Sequence, residues 1–402
     1  MKRAVFILFV FSWQLEAAEW TLLEDPDLDL ALVETVPVGT ALGLADIPDA
    51  AEVFTDLIAS AETSLFSGQF YITDAEGEPL RPILDLLTAK AGELDELRLL
   101  VDKKMVAQNQ EVLDRLRNTP GIALAEYDIT GLTGGIHHAK YFCVDDRACF
   151  VGSQNFDWRS LKHIREMGVL LESRPLAVML RKVFEADWQL GMGRAYPHKT
   201  AGRKAVGFTN PNKGIAYVKP VLSPAKLPVQ GFGDGLETFV ELIDSARSSI
   251  RSEVMTYSLT GYDKSVRDDL DAAFRRAAAR GVKISFLVSD WNNRRPNIDE
   301  VKRLAALPGI EVKITTIPQA EEGFVPYARV DHAKIMVVDD EVGWVGTSNF
   351  SPDYFTGSRN LELVFKYPAE VKKLAKSFDQ VWNSPYARRL EQDREYVMPK
   401  RN

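Results

Sequence analysis

The fold is decided by the stretch His332-Ala-Lys-Ile-Met-Val-Val-Asp339, which runs on to Gly346-Thr-Ser-Asn349. Strand alternation places the side chains of His332 and Lys334 on one face. The apolar run that follows predicts a buried strand, and the acidic residues after it predict the turn that ends this strand. An imidazole beside an ammonium on a rigid strand suits a phosphate, because the lysine neutralises its oxygens while the histidine attacks phosphorus or transfers a proton.

The same pattern occurs earlier in the chain, as His138-Ala-Lys-Tyr-Phe-Cys-Val-Asp145 followed by Gly152-Ser-Gln-Asn155. One constant offset relates the His, Lys, Asp, Gly and Asn positions of the two copies. Two downstream aromatic residues recur at the same offset: Phe184 and Trp188 match Phe378 and Trp382. A lone His-x-Lys is an ordinary solvated strand pair, whereas two complete copies in one register indicate an internal duplication.

The repeated pattern resembles the phospholipase D superfamily of phosphodiesterases. The residues after the two motifs, Asn155–Leu161 and Gly346–Phe355, resemble the lysosomal phospholipase D-like exonucleases and the poxvirus envelope phospholipase. This resemblance covers most of the chain after residue 50. It implies a two-step reaction through a phosphohistidine, with no metal ion and no other cofactor.

Outside the motifs, helical and strand patterns alternate in the same order in both halves. Helical periodicity at 51–61 precedes a strand at 64–72, and 239–246 precedes 249–257 in the same way. This alternation predicts an α/β fold with helices on both sides of a sheet. The resemblance implies a duplicated phospholipase D fold, with two similar sheet-and-helix halves and one active site at their pseudo-twofold interface.

The expected domain boundaries follow from the two copies. We expect the halves over 45–200 and 226–395, and a surface linker rich in Gly, Pro and Lys over 201–225. Residues 1–18 have the basic start, apolar run and small-residue end of a secretory signal peptide. Their apolar run is about half of the ~20 residues that a spanning helix needs. We therefore expect an exported protein, periplasmic or secreted.

Composition bounds the function further. The hydrophobic fraction of 46% is typical of a globular protein, and the formal charge of -8 argues against a broad nucleic-acid-binding face. The two cysteines, Cys143 and Cys149, flank the turn after the first motif strand. We expect buried free thiols there, because a cross-strand disulfide requires a narrow geometry.

A phosphodiester needs both a nucleophile and an acid for its leaving oxygen. We expect His138 and His332, one from each half, to meet across a single phosphate. The commoner order in the family implies that His138 is the nucleophile and His332 the general acid. The residues expected to hold the phosphoryl oxygens are Lys140, Lys334, Asn155, Asn349, Ser153 and Ser348.

Carboxylates are expected in two supporting roles. A downstream carboxylate often fixes the histidine tautomer in this family, and Glu166 and Glu362 lie in roughly equivalent strands. Asp145 and Asp339 are counted with the catalytic motif residues, although we expect them to shape the hairpin turns more than to contact phosphate.

The substrate is less well specified than the reaction. A phospholipid in a membrane surface or micelle is the first expectation, because the chain is acidic and apolar residues follow both motifs (Phe156, Leu161, Phe350 and Phe355). A 5′ exonuclease acting on single-stranded nucleic acid is the alternative, with Trp158, Tyr354 and Phe355 as stacking candidates. A non-catalytic binding module is disfavoured, since both motifs are intact. Hydrolysis and headgroup transfer both remain open.

Overall fold

The computed structural model describes residues 20–197, 204–214 and 216–402. The expected signal peptide over 1–18 lies outside the described residues. Within these ranges, no helix is both long enough and apolar enough to cross a membrane.

The first part of the chain alternates strands and helices up to residue 191. Its strands are β1 (Trp20–Glu24), β2 (Asp29–Thr35), β3 (Ser64–Gln69), β4 (Ile72–Thr73), β5 (Glu96–Asp102), β6 (Ile122–Tyr127), β7 (Tyr141–Val144), β8 (Ala148–Gly152), β9 (Phe156–Asp157) and β10 (Glu166–Glu172). Its helices are α1 (Ala50–Ala59), α2 (Leu80–Lys90), α3 (Gln110–Arg117), α4 (Thr130–Thr133) and α5 (Arg174–Gly191).

The second part repeats this order after residue 204. Its strands are β11 (Ala205–Asn210), β12 (Ala216–Ser223), β13 (Gly233–Asp234), β14 (Ser249–Val254), β15 (Lys283–Ser289), β16 (Ile310–Thr315), β17 (Ile335–Val338), β18 (Val342–Gly346), β19 (Asn360–Lys366) and β20 (Ala387–Arg389). Its helices are α6 (Gly235–Ser245), α7 (Asp269–Ala279), α8 (Asn297–Ala305), α9 (Pro352–Thr356) and α10 (Pro368–Trp382).

Two large sheets share one strand order. The first runs β2-β10-β8-β7-β3-β5-β6, and the second contains β12-β19-β18-β17-β14-β15-β16 in the matching places. In each sheet, parallel strands at one side adjoin the antiparallel hairpin that carries a motif. The second sheet is extended by β1 and β11 at one edge and by β20 at the other. This repetition confirms the predicted duplicated α/β fold.

A shared hydrophobic core lies between the two sheets. It contains the buried faces of α5 and α10 together with strand residues from both halves. The matched aromatic pairs stack inside this layer, with ring centres 5.4 Å apart for Phe184 and Trp188 and 5.6 Å apart for Phe378 and Trp382. Separate cores on the outer faces hold α1 to α3 and α6 to α8. The halves are therefore packed against each other through a common interior.

The segment between the halves is not the surface linker expected over 201–225. It contains β11 and β12, and β12 pairs with β19 from Tyr217 opposite Lys366 to Ser223 opposite Asn360. Lys219 and the proline beside it interrupt the apolar alternation of β12. Because Gly, Pro and Lys weaken a strand pattern, the sequence alone does not indicate the pairing that tertiary structure provides here.

The two cysteines form a disulfide and are not the free thiols expected from the sequence. β7 and β8 pair with Cys143 directly opposite Cys149, and their Cα atoms are 4.1 Å apart. The tight turn that sets this register has Asp145 and Asp146 in the left-handed region, with φ of 54° and 47°. The cross-link closes the hairpin that follows the first motif lysine.

Candidate active site

Both motif histidines are fixed by the opposite half of the chain. The His138 backbone N–H donates to the Arg359 carbonyl at 2.9 Å, and the His332 N–H donates to the Arg165 carbonyl at 2.9 Å. Arg165 and Arg359 precede β10 and β19, which are equivalent strands of the two sheets. These reciprocal bonds bring the motifs to one seam, where the charge of His332 acts on the pKa of His138.

His332 is held by a carboxyl group from the first half. Its Nδ1 lies 2.8 Å from Glu166 Oε2, and the other carboxyl oxygen accepts a hydrogen bond from Ser160 at 2.6 Å. Burial raises the pKa of Glu166 to about 8 and lowers the pKa of His332 well below its usual value. A net-neutral pair is either carboxylate with imidazolium or carboxylic acid with imidazole. In both cases His332 Nε2 carries a hydrogen.

His138 is held by an amide instead. Its Nδ1 lies 3.0 Å from Asn360 Oδ1. Asn360 Nδ2 donates to the carbonyls of Tyr354 at 2.8 Å and Ser358 at 3.2 Å, which fixes the orientation of the amide. Because an amide oxygen only accepts, the hydrogen of His138 is on Nδ1 and Nε2 keeps its lone pair. Burial, reinforced by the Lys140 charge, lowers the pKa of His138 well below its usual value.

The expectation that Glu362 fixes the tautomer of a motif histidine is wrong, because Asn360 holds His138 and Glu166 holds His332. The offset that relates the two motifs places Asn360, and not Glu362, at the position of Glu166. Asn360 could therefore have been found from the sequence by applying the offset strictly. Asn360 and Glu362 are two residues apart on β19 and therefore share a strand face. It is the Asn360 side chain that contacts the His138 imidazole.

Glu362 instead holds the second motif in place through hydrogen bonds. Its carboxylate accepts hydrogen bonds from Trp344 Nε1 at 2.8 Å, Thr347 N at 3.2 Å and Ser348 N at 3.0 Å. Burial raises its pKa to about 7, against the hydrogen bonds that lower it. A Cβ atom on Gly346 would stand 1.6 Å from Glu362 Oε2, so the motif requires glycine at this position.

The two motif lysines are buried at the seam. Each donates to the carbonyl of its own histidine, Lys140 to His138 and Lys334 to His332. Burial, reinforced by the charge of Lys334, lowers the pKa of Lys140 well below its usual value. Burial also lowers the pKa of Lys334 to about 7, although Glu166 opposes this. An anionic phosphate between the lysines would favour the charged form of both.

The two motif asparagines have different surroundings. Asn349 Oδ1 accepts from Thr256 N at 3.1 Å, and its Nδ2 donates to the Tyr354 hydroxyl at 3.0 Å. Asn155 is buried, and its Oδ1 has no hydrogen-bond partner among the residues that the structure describes. Only the Nδ2 hydrogens of Asn155 could donate to a phosphoryl oxygen, so its expected contact with phosphate stays a prediction. Asn349 Nδ2 has a second hydrogen besides the one given to Tyr354, so its expected contact with phosphate also stays a prediction.

The Ser153 hydroxyl is engaged by the backbone, whereas the Ser348 hydroxyl is buried without a hydrogen-bond partner among the described residues. Ser153 Oγ donates to the Met167 carbonyl at 3.2 Å and accepts from the Met167 N–H at 3.0 Å. Ser348 donates its backbone N–H to Glu362 at 3.0 Å. The Ser153 hydroxyl is therefore engaged by β10 and is not placed to bind phosphate, which corrects the expectation for that residue.

Asp145 and Asp339 lie at the hairpin turns, as their turn-shaping role predicts, and are not catalytic. The Asp145 carboxylate accepts from the backbone N–H groups of Glu62, Thr63 and Ser64. Asp339 accepts in the same way from Arg247, Ser248 and Ser249. Partial burial would raise the pKa of each carboxyl, but these hydrogen bonds outweigh it and hold the pKa below its usual value. Each aspartate ties a motif hairpin to the neighbouring parallel strand.

Two aromatic rings enclose His138. The Phe70 ring centre lies 5.3 Å from the His138 ring and 5.2 Å from Lys140 Nζ. The Tyr354 ring meets His138 edge to face at 5.0 Å. Sequence reasoning missed Phe70, although its place directly after β3, the neighbour of β7, was an available signal. The sequence indicated Tyr354 only as a stacking candidate and not as a wall around His138.

Comparison with known proteins agrees with this geometry. The family model described as cardiolipin synthase, PLD-like domain, matches residues 54–188 and 239–382. The chain belongs to the phospholipase D superfamily. It is accordingly an enzyme of the phosphodiesterase class.

Relatives within this superfamily carry different names. The 5'-3' exonuclease PLD3 of Xenopus laevis is 30% identical over 403 residues, which span 90% of this chain and 81% of that protein. A probable phospholipase D of Caenorhabditis elegans is 32% identical over 292 residues, spanning 66% of this chain and 52% of that protein. Phosphatidylserine synthase of Haemophilus influenzae Rd KW20 shares the fold, with a TM-score of 0.59, 13% identity and 85% coverage of each chain.

The buried charges predict how activity depends on pH. With pKa values of about 7, Lys334 and Glu362 each lose a proton as pH rises through that value. Glu166, with a pKa of about 8, loses its proton at a higher pH. Each loss makes the site more negative, so kcat/KM for a phosphodiester is expected to fall as pH rises above about 7. Bound phosphate favours the Lys334 ammonium and so raises the pKa of this lysine in the complex. The fall in kcat should therefore occur at a higher pH than the fall in kcat/KM. A kcat/KM that rises steadily from pH 6 to 9 would contradict this assignment.

Proposed function

We propose that this chain hydrolyses single-stranded nucleic acid from its 5′ end, through a phosphohistidine formed on His138. The unlike partners of the two histidines carry the mechanistic part of this proposal. Asn360 leaves His138 with a free lone pair on Nε2, while Glu166 leaves His332 with a hydrogen on Nε2. One seam thus presents a nucleophile and an acid together.

In the first step, His138 Nε2 attacks phosphorus and a nitrogen–phosphorus bond forms. The bond from phosphorus to the leaving oxygen breaks, and His332 Nε2 gives its proton to that oxygen. Lys140, Lys334 and the Asn155 amide surround the phosphoryl oxygens and stabilise their charge. Glu166 stabilises the positive charge of His332 whenever that ring is an imidazolium.

In the second step, water attacks the phosphoryl group opposite His138. His332, now without its Nε2 proton, accepts one from that water as general base. The nitrogen–phosphorus bond breaks, and both histidines return to their starting states. Transfer to another alcohol would follow the same course with the alcohol in place of water.

Two observations support a nucleic-acid substrate over a phospholipid. A relative that aligns with 90% of this chain is named a 5'-3' exonuclease. The apolar residues that favoured a lipid, Phe156, Leu161, Phe350 and Phe355, are buried in the hydrophobic cores of their own halves. They form no apolar rim for a lipid aggregate, which removes one of the two reasons for that expectation.

The proposal includes an exported location, periplasmic or secreted. The signal-peptide pattern over 1–18 is its main support. The disulfide between Cys143 and Cys149 adds to it, because such cross-links persist in oxidising compartments.

A direct comparison of substrates tests the proposal. Purified protein, without added metal, is given single-stranded DNA labelled at the 5′ or 3′ end, or mixed phospholipid micelles. We expect a labelled mononucleotide as the first product from the 5′ label and a shortening ladder from the 3′ label. Nuclease activity should fall steeply with salt, because each neutralised phosphate contributes a slope of roughly -0.7 in log affinity against log salt.

The His332→Ala variant serves as the blank for both substrates. Headgroup release that this variant lacks, with no turnover of DNA, would replace the nuclease by a phospholipase. Cleavage of DNA in the interior of the strand would retain the nuclease and reject the 5′ exonuclease.

A further inference from the structure

Large exposed aromatic side chains gather on loops of the second half. Tyr262 is 79% exposed, Tyr327 49% and Phe324 39%. Cations stand over two of these rings, with Lys400 Nζ 4.5 Å from the centre of Phe324 and the Arg159 guanidinium 6.0 Å from that of Tyr327. Single exposed apolar residues are ordinary. Rings interleaved with cations are how proteins hold unpaired bases and their phosphates.

Tyr262 reaches the site on the side of His138. The Tyr262 backbone N–H donates to both carboxylate oxygens of Asp353 at 3.0 Å. The residue after Asp353 is Tyr354, whose ring contacts His138. Burial raises the pKa of Tyr354, Tyr262 adds to this shift and Arg294 opposes it. Tyr262 is therefore hydrogen-bonded to the residue next to the ring that forms one wall of the site.

Tyr327 reaches the site on the side of His332. Its loop runs beside the segment before β10, where Arg165 N–H donates to the Val330 carbonyl at 3.1 Å. The residue after Arg165 is Glu166, the partner of His332. The exposed aromatic loops thus flank the seam from both sides.

The C-terminal tail joins the two sides. The Arg401 carbonyl accepts from Tyr327 N–H at 2.6 Å, and the Arg401 guanidinium lies 4.5 Å from the Trp291 ring centre. Burial lowers the pKa of Arg401, the Arg294 charge lowers it further, and Asp290 opposes this less strongly. Arg294 is exposed and forms no salt bridge within the described parts of the chain. The Arg401 guanidinium donates to the Trp291 carbonyl at 2.9 Å, and Arg294 follows Trp291 by three residues, so both guanidinium groups belong to one loop region that can bind an anion.

We propose that Tyr262, Tyr327, Arg294, Arg401 and Lys400 form a platform that binds the single strand next to the phosphate under attack. The phenol rings stack on bases, and the three cations hold backbone phosphates. This inference rests on the proposed nuclease function and deepens it, because it assigns the residues that distinguish a polymer from a small phosphodiester. The platform also explains how a chain with a net negative charge holds a polyanion, because the positive charges are concentrated at the platform.

The test separates polymer binding from chemistry. Tyr262→Ala, Tyr327→Ala and Arg294→Ala are assayed on 5′-labelled single-stranded DNA and on bis(4-nitrophenyl) phosphate, a small diester that has neither nucleobases nor neighbouring phosphates. Each tyrosine-to-alanine variant should raise KM for DNA by about 10-fold, since a stacked base contributes roughly that much affinity. Arg294→Ala should also raise KM for DNA and should lower the salt slope by about 1, because it removes one phosphate contact. Each should keep kcat/KM for the small diester within about two-fold. The dependence of KM on strand length should also weaken.

Conservative variants provide matched controls. Tyr262→Phe and Tyr327→Phe keep the stacking surface, and Arg294→Lys keeps the charge, so all three should retain DNA affinity close to that of the parent. Alanine variants with unchanged KM for DNA would overturn the platform while leaving the nuclease intact. Equal losses on both substrates would overturn it as well, since they would report a disturbed fold. A parent protein that cleaves the small diester but no DNA would instead refute the proposed function.

Discussion

The His332→Ala variant is expected to release one equivalent of nitrophenolate from bis(4-nitrophenyl) phosphate and then nearly stop. Nitrophenolate is a good leaving group that needs no general acid, so His138 can still attack phosphorus in this variant. Hydrolysis of the adduct requires His332 as base, so the phosphoryl group remains on His138. With a nucleotide leaving group, which requires protonation, kcat should fall by about 10²- to 10⁴-fold.

The His138→Ala variant is the matched comparison. It lacks the nucleophile, so it should show no burst and should lose both substrates, by about 10⁴-fold or more in kcat. Stopped-flow absorbance measures the burst, and mass spectrometry of a quenched digest locates the phosphoryl group. A burst in His138→Ala with the adduct on His332 would reverse the roles. Full activity in both variants would refute the shared site.

The Arg359→Met variant is expected to lower the free energy of unfolding by about 3–5 kcal/mol, because it leaves a buried charge without its partner. Arg359 is fully buried and donates to both Asp187 oxygens, at 2.9 to 3.2 Å. It also donates to the carbonyls of Ser223 at 3.1 Å and Leu227 at 2.9 Å. The guanidinium therefore ties α5 of the first half to the end of β12 and the segment after it in the second.

Urea denaturation measures this effect through the midpoint and slope of unfolding. Arg117→Met is the control, since Arg117 pairs with Asp114 on the surface, with both side chains more than a third exposed (40% and 45%). An exposed pair of this kind contributes about 0–1 kcal/mol. Equal destabilisation by the two variants would show that the buried pair does not hold the halves together.

The sequence by itself determined the duplication, the α/β class and the chemistry of the motifs. These follow from local patterns, because period-two alternation defines a strand face and a constant offset relates two copies without reference to distance. His138 and His332 were identified on this basis. Strict use of the same offset would also have paired Glu166 with Asn360, since those residues occupy equivalent strands.

Only the tertiary structure decided which different roles the residues of the two motif copies have. Glu166 holds the histidine of the other half, and Asn360 does the same with an uncharged group. Asn349 donates to Tyr354 and accepts from Thr256, whereas Asn155 Oδ1 has no hydrogen-bond partner among the described residues. These contacts join residues far apart in the chain, and periodicity reports which face a side chain occupies but not its neighbour across a seam. Burial is collective in the same way, because each apolar residue joins a core only when other elements cover it.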